Sequence, residues 1–260
     1  MLLERQVAIV TGGGRGLGRA VALRLAALGA SVVVASRNAP ELDQVVLEIR
    51  RAGGHALAQT ADIADERQVQ ELVLAAERWV GPATVLVNNA GVVEPLGPLA
   101  GSDGAVWLRN LAINVGGTYL ITRAALPGML DRGYGRIVTV TSGAGARPSA
   151  GWSAYSAAKA ALSQLTRVLA LELEGSGVAT TAFSPGLVDT KMQEKVRSAS
   201  PEQMPAVERF RTAAREGRLL DPLGPARVIA YLASPAASRN GEVLAMGDEA
   251  LMAEVAAAIP

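Results

Sequence analysis

Tyr155 and Lys159 lie four residues apart in SAYSAAKAAL, Ser153 to Leu162, where the alanine content favours a helix. Residues four apart share one face of a helix, so the phenol and the ammonium can converge on a common point. A phenol in water holds its proton up to a pH of ~10, and a neighbouring ammonium stabilises the phenolate. Such a pair suits proton transfer at a common point. An ordinary amphipathic helix with two polar tips in water would carry the same pair, and these two residues alone do not separate the readings. Ser142, thirteen residues before Tyr155, closes the β-branched run RIVTVTS (136–142). A hydroxyl at a strand end can hydrogen-bond a substrate oxygen. It orients rather than attacks, because the chain's one histidine, His55, belongs to a different segment and cannot complete a serine–histidine–acid arrangement.

A second chemical feature is the glycine turn VTGGGRGLGRA (10–20). Gly12, Gly16 and Gly18 are spaced Gly-x-x-x-Gly-x-Gly, with Gly13 and Gly14 between them. Glycine lets a backbone pass close to a diphosphate, whose charge is attracted by the N-terminus of the following helix. A P-loop would need Lys and Ser or Thr after the last glycine, whereas Arg19 and Ala20 stand there. The strict Gly-x-Gly-x-x-Gly fingerprint also has no register in this stretch. A purely structural turn is the other reading, at the expense of five glycines in seven positions.

These residues need a scaffold, and the composition bounds it. The chain has 260 residues, 50% hydrophobic and 19% charged, with a formal net charge of +1. This suits a well-buried core and argues against disorder. Arg and Lys are scattered, so no nucleic-acid partner is expected. There is no Cys and a single His, which excludes thiol chemistry and a transition-metal cluster, and no metal is expected. No apolar run reaches the ~18 residues that span a bilayer. The opening MLLERQVAIV places Glu4 and Arg5 before its apolar residues, unlike a signal peptide, so a cytoplasmic location is expected.

Short β-branched runs alternate with helical patterns. Strands are expected at 6–10, 31–36, 55–61, 83–88, 136–142, 178–183 and 242–246. Helices are expected at 17–28, from Pro40 to Gly53, and near 66–80, 104–130, 153–174 and 223–234. Helical crossovers imply a parallel sheet. The expected fold is a single doubly wound α/β domain over 1–260, with about seven parallel strands and helices on both faces. Residues 187–222 form a long charged insertion containing Pro201 and Pro205 and one helix near 206–215; an insertion of that length is expected to act as a lid over the substrate.

With these pieces placed, the sequence resembles the classical short-chain dehydrogenase/reductase (SDR) family over essentially its whole length. The resemblance rests on TGGGRGLG (11–18), NNAG (88–91), Asn114 in LAINVGGTYL, Ser142, YSAAK (155–159) and SPG (184–186). It implies a Rossmann-type fold and a hydride exchanged between a nicotinamide cofactor and a small-molecule carbonyl or alcohol. Asn114, Ser142, Tyr155 and Lys159 would be the catalytic tetrad: Tyr155 the acid, Lys159 its tuning cation and a ribose ligand, and Asn114 part of a water link from Lys159 to solvent. The cofactor would lie along Gly12, Arg15, Gly16, Leu17 and Gly18, then Asn89, Ala90 and Gly91. Asp62 and Ile63 would meet the adenine, and Pro185, Gly186, Val188 and Thr190 the nicotinamide end.

An acid at the end of the second strand would select NAD. Ser36 stands there, followed by Arg37, and with Arg15 nearby these residues favour the 2′-phosphate of NADP(H). Gly143–Arg147, Trp152, Val93, Glu94, Leu187 and Met192 are candidate pocket residues, and Asp248 resembles an acid that grips substrate in some members. The resemblance also implies a homodimer or homotetramer and no membrane partner. The tail MGDEALMAEVAAAIP lacks the Gly-Gly pair with which many members close, a departure that bears on tetramer contacts, and its apolar residues could cover a partner. A 3-oxoacyl thioester reductase is one specific alternative. A non-catalytic dinucleotide sensor on the same fold is another.

Overall fold

The computed structural model describes residues 1–259. Seven strands form one sheet, β1 (Val7–Thr11), β2 (Ser31–Ser36), β3 (His55–Thr60), β4 (Val85–Asn88), β5 (Gly135–Val140), β6 (Val178–Ser184) and β7 (Val243–Ala245). Their order is β3-β2-β1-β4-β5-β6-β7 and every pairing is parallel. The chain therefore reverses its direction of travel across the sheet between β1 and β4. At such a switch point the loops leaving the strand ends part to form a crevice.

Both faces of the sheet are covered, which explains why the strands read as continuous apolar runs. Ala8 and Val10 of β1 and Val32 and Val34 of β2 face one core, shared with helices α1 (Gly16–Ala27) and α2 (Ala39–Arg51). Ile9, Val33 and Ala35 face the other, against α3 (Glu66–Val80). Asp65 caps α3 by accepting the Gln68 amide at 3.1 Å, and Gly81 ends it at φ 110°, so its predicted span holds to the residue.

The predicted helix over 104–130 is instead three pieces. α4 (Gly104–Leu111) runs into a π-helical turn, Ala112–Gly117, and then α5 (Thr118–Asp131). Asn114 lies in the π turn, which fits the habit of such bulges to occur where a side chain must be re-aimed. α6 (Ser153–Glu172) carries Tyr155 and Lys159. The insertion after β6 holds two helices, α7 (Lys191–Ser198) and α8 (Val207–Arg215), of which only the second was expected. Its two ends meet in a parallel bridge between Val188 and Leu220.

α9 (Leu223–Leu232) precedes β7, and the tail forms a further, unexpected helix, α10 (Glu249–Ala258). Its Leu251 and Val255, with Ile259 just beyond, are buried in this chain's own core, so these apolar residues of the tail are not left over for a partner. Arg239 ties α10 down through Glu254, and Arg227 donates to the Ile259 carbonyl.

Candidate active site

The glycine turn after β1 and the loop after β4 are stitched together at the switch point. The Thr11 hydroxyl accepts the Asn89 and Ala90 amides, each at 3.1 Å, and Asn89 Nδ2 donates to the Thr11 and Gly12 carbonyls at 2.9 and 3.2 Å. A side chain at Gly18 would lie 2.1 Å from the Gly12 oxygen, and one at Gly12 would lie 2.9 Å from Ala90 Cα at φ +64°. The turn therefore folds onto its own helix N-terminus only with glycine at both positions. Leu17 is buried behind it as part of the core. What remains is a bare backbone cradle at the start of α1, which fits a dinucleotide diphosphate.

Ser142 lies two residues beyond β5 and caps a short 3₁₀ turn, its hydroxyl accepting the Ala144 amide at 3.2 Å. Tyr155 and Lys159 project from one face of α6, with the Lys159 ammonium 5.6 Å from the centre of the Tyr155 ring. Lys159 is 4% exposed, and Nζ donates to the Val140 carbonyl at 2.8 Å. Burial lowers its pKa from 10.5 to about 8. Burial also pushes the Tyr155 phenol up, partly offset by a hydrogen bond with Ser142. Both shifts favour the uncharged form, as desolvation requires. In this state the phenol is kept protonated, the form an acid needs.

Asn114 completes the cluster. Its Oδ1 accepts the Val92 amide at 3.0 Å, while Nδ2 donates to the Val92 carbonyl at 2.9 Å and to Asn110 Oδ1 at 2.7 Å. A Cβ on Gly91 would lie 2.6 Å from Asn114 Oδ1 and 3.8 Å from Lys159 Nζ, so Gly91 makes room for both. Asn110, buried one turn earlier, also donates to the Glu94 carbonyl at 2.6 Å. Sequence reasoning missed Asn110, although its four-residue spacing from Asn114 was a visible signal.

At the adenosine end, Ser36 accepts the Asn38 amide and Arg37 is exposed without an ion pair among the described residues. Arg15 pairs with Glu41 at 3.5 Å, and Lys191 approaches the same carboxylate at 3.9 Å. Glu41 also overhangs Gly14, whose Cβ position is 3.5 Å from Glu41 Oε2 and 3.4 Å from Ser36 Oγ. Sequence reasoning missed Glu41, whose contacts with Arg15 and Gly14 lie far back along the chain. Asn38 accepts the Glu41 amide, but the Asn38 amide goes to Ser36, leaving the Glu41 carboxylate to the turn. Asp62 has one oxygen on the Ala64 amide and the other on Arg109. Ile63 reaches the π turn, 2.6 Å from a Cβ position at Gly117.

Pro185 and Gly186 lead from β6 into the insertion, and Gly186, at φ +79°, packs against Leu220. Val188 forms the bridge at the base, and the Thr190 methyl lies 3.1 Å from a Cβ position at Gly16. The insertion thus touches the glycine turn directly. The insertion contributes Val196 of α7, Met204 of the connection, and Val207 and Phe210 of α8 to an apolar cluster with Val93, Trp152 and Tyr155. The Trp152 ring centre lies 5.3 Å from both Tyr155, which it meets edge to face, and Phe210, at a tilt of 50°. The charges expected to make this segment a poor core lie outside, including Lys195, which pairs with Glu94 across the cluster's rim. Asp248, a candidate substrate grip, serves as the N-cap of α10.

A parallel sheet whose switch point holds a glycine cradle, beside a buried tyrosine–lysine pair, defines an oxidoreductase of the kind that works with a nicotinamide dinucleotide. The family model for short chain dehydrogenases matches residues 6–201, and the chain belongs to that family. It is 41% identical to cis-4-hydroxycyclohexanecarboxylate dehydrogenase of Sinomonas cyclohexanicum, over 90% of this chain and 91% of the relative. It is 38% identical to 4-formylbenzenesulfonate dehydrogenase of Comamonas testosteroni, over 92% of this chain and 94% of that one. The crystal structure of levodione reductase superposes with a TM-score of 0.87 at 30% identity, covering 96% of this chain and 99% of that one.

Proposed function

We propose that the protein is an NADP(H)-dependent oxidoreductase that interconverts a carbonyl and a secondary alcohol in a small molecule. The observation that carries this reading is the meeting of the half-buried Ser142 with the buried Tyr155 and Lys159, beside Gly91 and the buried Asn114. When bound, the nicotinamide supplies or accepts the hydride. The Ser142 hydroxyl hydrogen-bonds the substrate oxygen and fixes its orientation. Tyr155, kept protonated by burial, gives its proton to that oxygen as reduction proceeds. Lys159 supports the resulting phenolate and would hold the nicotinamide ribose, and Asn114 keeps the loop at Val92 in place.

The cofactor would be held by Gly12, Arg15, Gly16, Leu17 and Gly18 at the diphosphate and by Asp62 and Ile63 at the adenine. Asn89, Ala90 and Gly91 would line its middle, with Pro185, Gly186, Val188 and Thr190 at the nicotinamide. Ser36, Arg37 and Arg15 support NADP(H) and would hold its 2′-phosphate, for which Arg15 would give up its pairing with Glu41. The unit is one domain over 1–260 with a lid at 187–222. It works in the cytoplasm, and no helix among the described residues is long and apolar enough to cross a membrane. Leu108, Tyr119, Val168 and Leu171 are exposed on α4, α5 and α6, which supports a homo-oligomer. The compounds in the names of the two sequence relatives are ring compounds, and the wall of Trp152, Phe210, Leu187 and Met192 suits a ring.

The test is NADPH oxidation by the purified protein over ketones, diketones, quinones, pterins and 3-oxoacyl thioesters, read beside NADH. Tyr155→Phe should lower turnover by about 10² or more while leaving fold and cofactor affinity intact. If the protein binds NADPH but oxidises it with no carbonyl class, it is a sensor and this reading fails.

A further inference from the structure

Between the serine and the tyrosine of the site, the chain carries an arginine for which the fold has made room and no partner. Arg147 is exposed and forms neither an ion pair nor a side-chain hydrogen bond among the described residues. It nonetheless folds back on the catalytic turn: a Cβ on Gly143, the residue after Ser142, would lie 3.0 Å from Arg147 Nη2. Glycine at 143 leaves that space to the guanidinium, one residue along the chain from the serine. Among the carboxylates around the insertion, Glu94 pairs with Lys195 and Asp189 approaches Arg197 at 3.9 Å. Five residues on, Trp152 Nε1 is a second donor without a protein partner, and it is buried in the apolar wall.

We propose that Arg147 is a substrate-recognition residue for an anionic group, and that the substrates of this enzyme are oxo or hydroxy acids whose hydrocarbon part rests on the Trp152–Phe210 wall. The proposal rests on the oxidoreductase reading above and adds the charge of the substrate to it. A guanidinium is always protonated and presents a planar fork matched to a carboxylate or sulfonate. Beside Ser142 it acts as a second anchor, turning a ring acid so that its carbonyl faces Ser142 and Tyr155. An apolar wall alone tolerates many orientations of a ring. An arginine at one end removes most of them.

The probes are 4-oxocyclohexanecarboxylate and its methyl ester, with the parent chain, Arg147→Gln and Arg147→Lys. In the parent, KM for the acid should be about tenfold or more below that for the ester. Arg147→Gln should raise the acid's KM by about tenfold, with kcat within about twofold and the ester unchanged. Arg147→Lys should recover part of the loss, because it restores the charge without the fork. Cofactor affinity, followed by NADPH fluorescence, should not move. Equal KM values for acid and ester in the parent would overturn the proposal, as would a glutamine variant that shifts both equally. A change in NADPH affinity would reassign Arg147 to the cofactor. If neither probe is turned over, the oxidoreductase reading is left to the wider carbonyl screen above. Calorimetric binding of cyclohexanecarboxylate to the parent and to Arg147→Gln then still decides the anion site, since equal affinity for the two refutes it.

Discussion

Lys159 should weaken the fold it belongs to. Replacing it with Met keeps the length and most of the volume of the side chain while removing a buried ammonium. The fall in its pKa from 10.5 to about 8 corresponds to about 3 kcal/mol of lost preference for the charged form on folding. Against this, Met leaves the Val140 carbonyl without its 2.8 Å donor, a loss of about 1 to 3 kcal/mol. Lys159→Met should therefore match the parent or exceed it by up to about 2 kcal/mol near pH 7, although turnover and cofactor affinity both collapse. The pH dependence has a definite sign. Below about pH 8 the lysine is protonated in folded and unfolded chains alike, so the full penalty is present. Between about 8 and 10.5 the folded chain sheds the proton first, and this group then adds to stability as pH rises. The advantage of the Met variant should thus be largest at pH 7 and smaller at pH 9.5. Urea unfolding of both proteins at the two pH values measures it. A Met variant less stable than the parent by more than about 1 kcal/mol at pH 7, or a difference independent of pH, would show that desolvation does not govern Lys159.

Arg37→Ala should weaken NADPH binding by roughly ten- to a hundredfold and leave NADH nearly unchanged, and adding Ser36→Asp should reverse the preference in kcat/KM. Glu41→Gln should tighten NADPH several-fold by freeing Arg15, an effect absent with NADH; equal changes with both cofactors would exclude Glu41 from the phosphate site. Hydrogen exchange across 187–222 should slow when cofactor and substrate bind together, and protection already complete in the free protein would rule out a lid.

Most of this architecture was legible because its signals are local. The run SVVVAS marks β2 to the residue, and α3 lies between an aspartate cap and a terminating glycine. The errors share a cause, which is that the deciding contact lies far along the chain. Nothing within 104–130 announces a π turn at Ala112–Gly117; its position goes with the bonds of Asn114 to Val92. α10 has too uniform an alanine content to display a face, and it is held by Arg227 and Arg239 from elsewhere. The tetrad could be named from the family resemblance, which rests on short local motifs. The carboxylate of Glu41 could not, because the turn it overhangs lies far back along the chain.

The paired bonds between Asn114 and Val92 bear on how variants at this position are interpreted. A primary amide presents one acceptor and one donor side by side, as the backbone of a neighbouring strand would, and the chain uses it where the segment after β4 has already left the sheet. One side chain thus stands in for a missing strand, prolonging the order of the sheet by a residue into the crevice. Aspartate offers two acceptors and leucine offers nothing, so both should release Val92, and with it the adjoining Gly91. A fall in rate on changing Asn114 would therefore report a lost splint as readily as a lost proton path, and only a variant that keeps the amide's polarity can tell them apart.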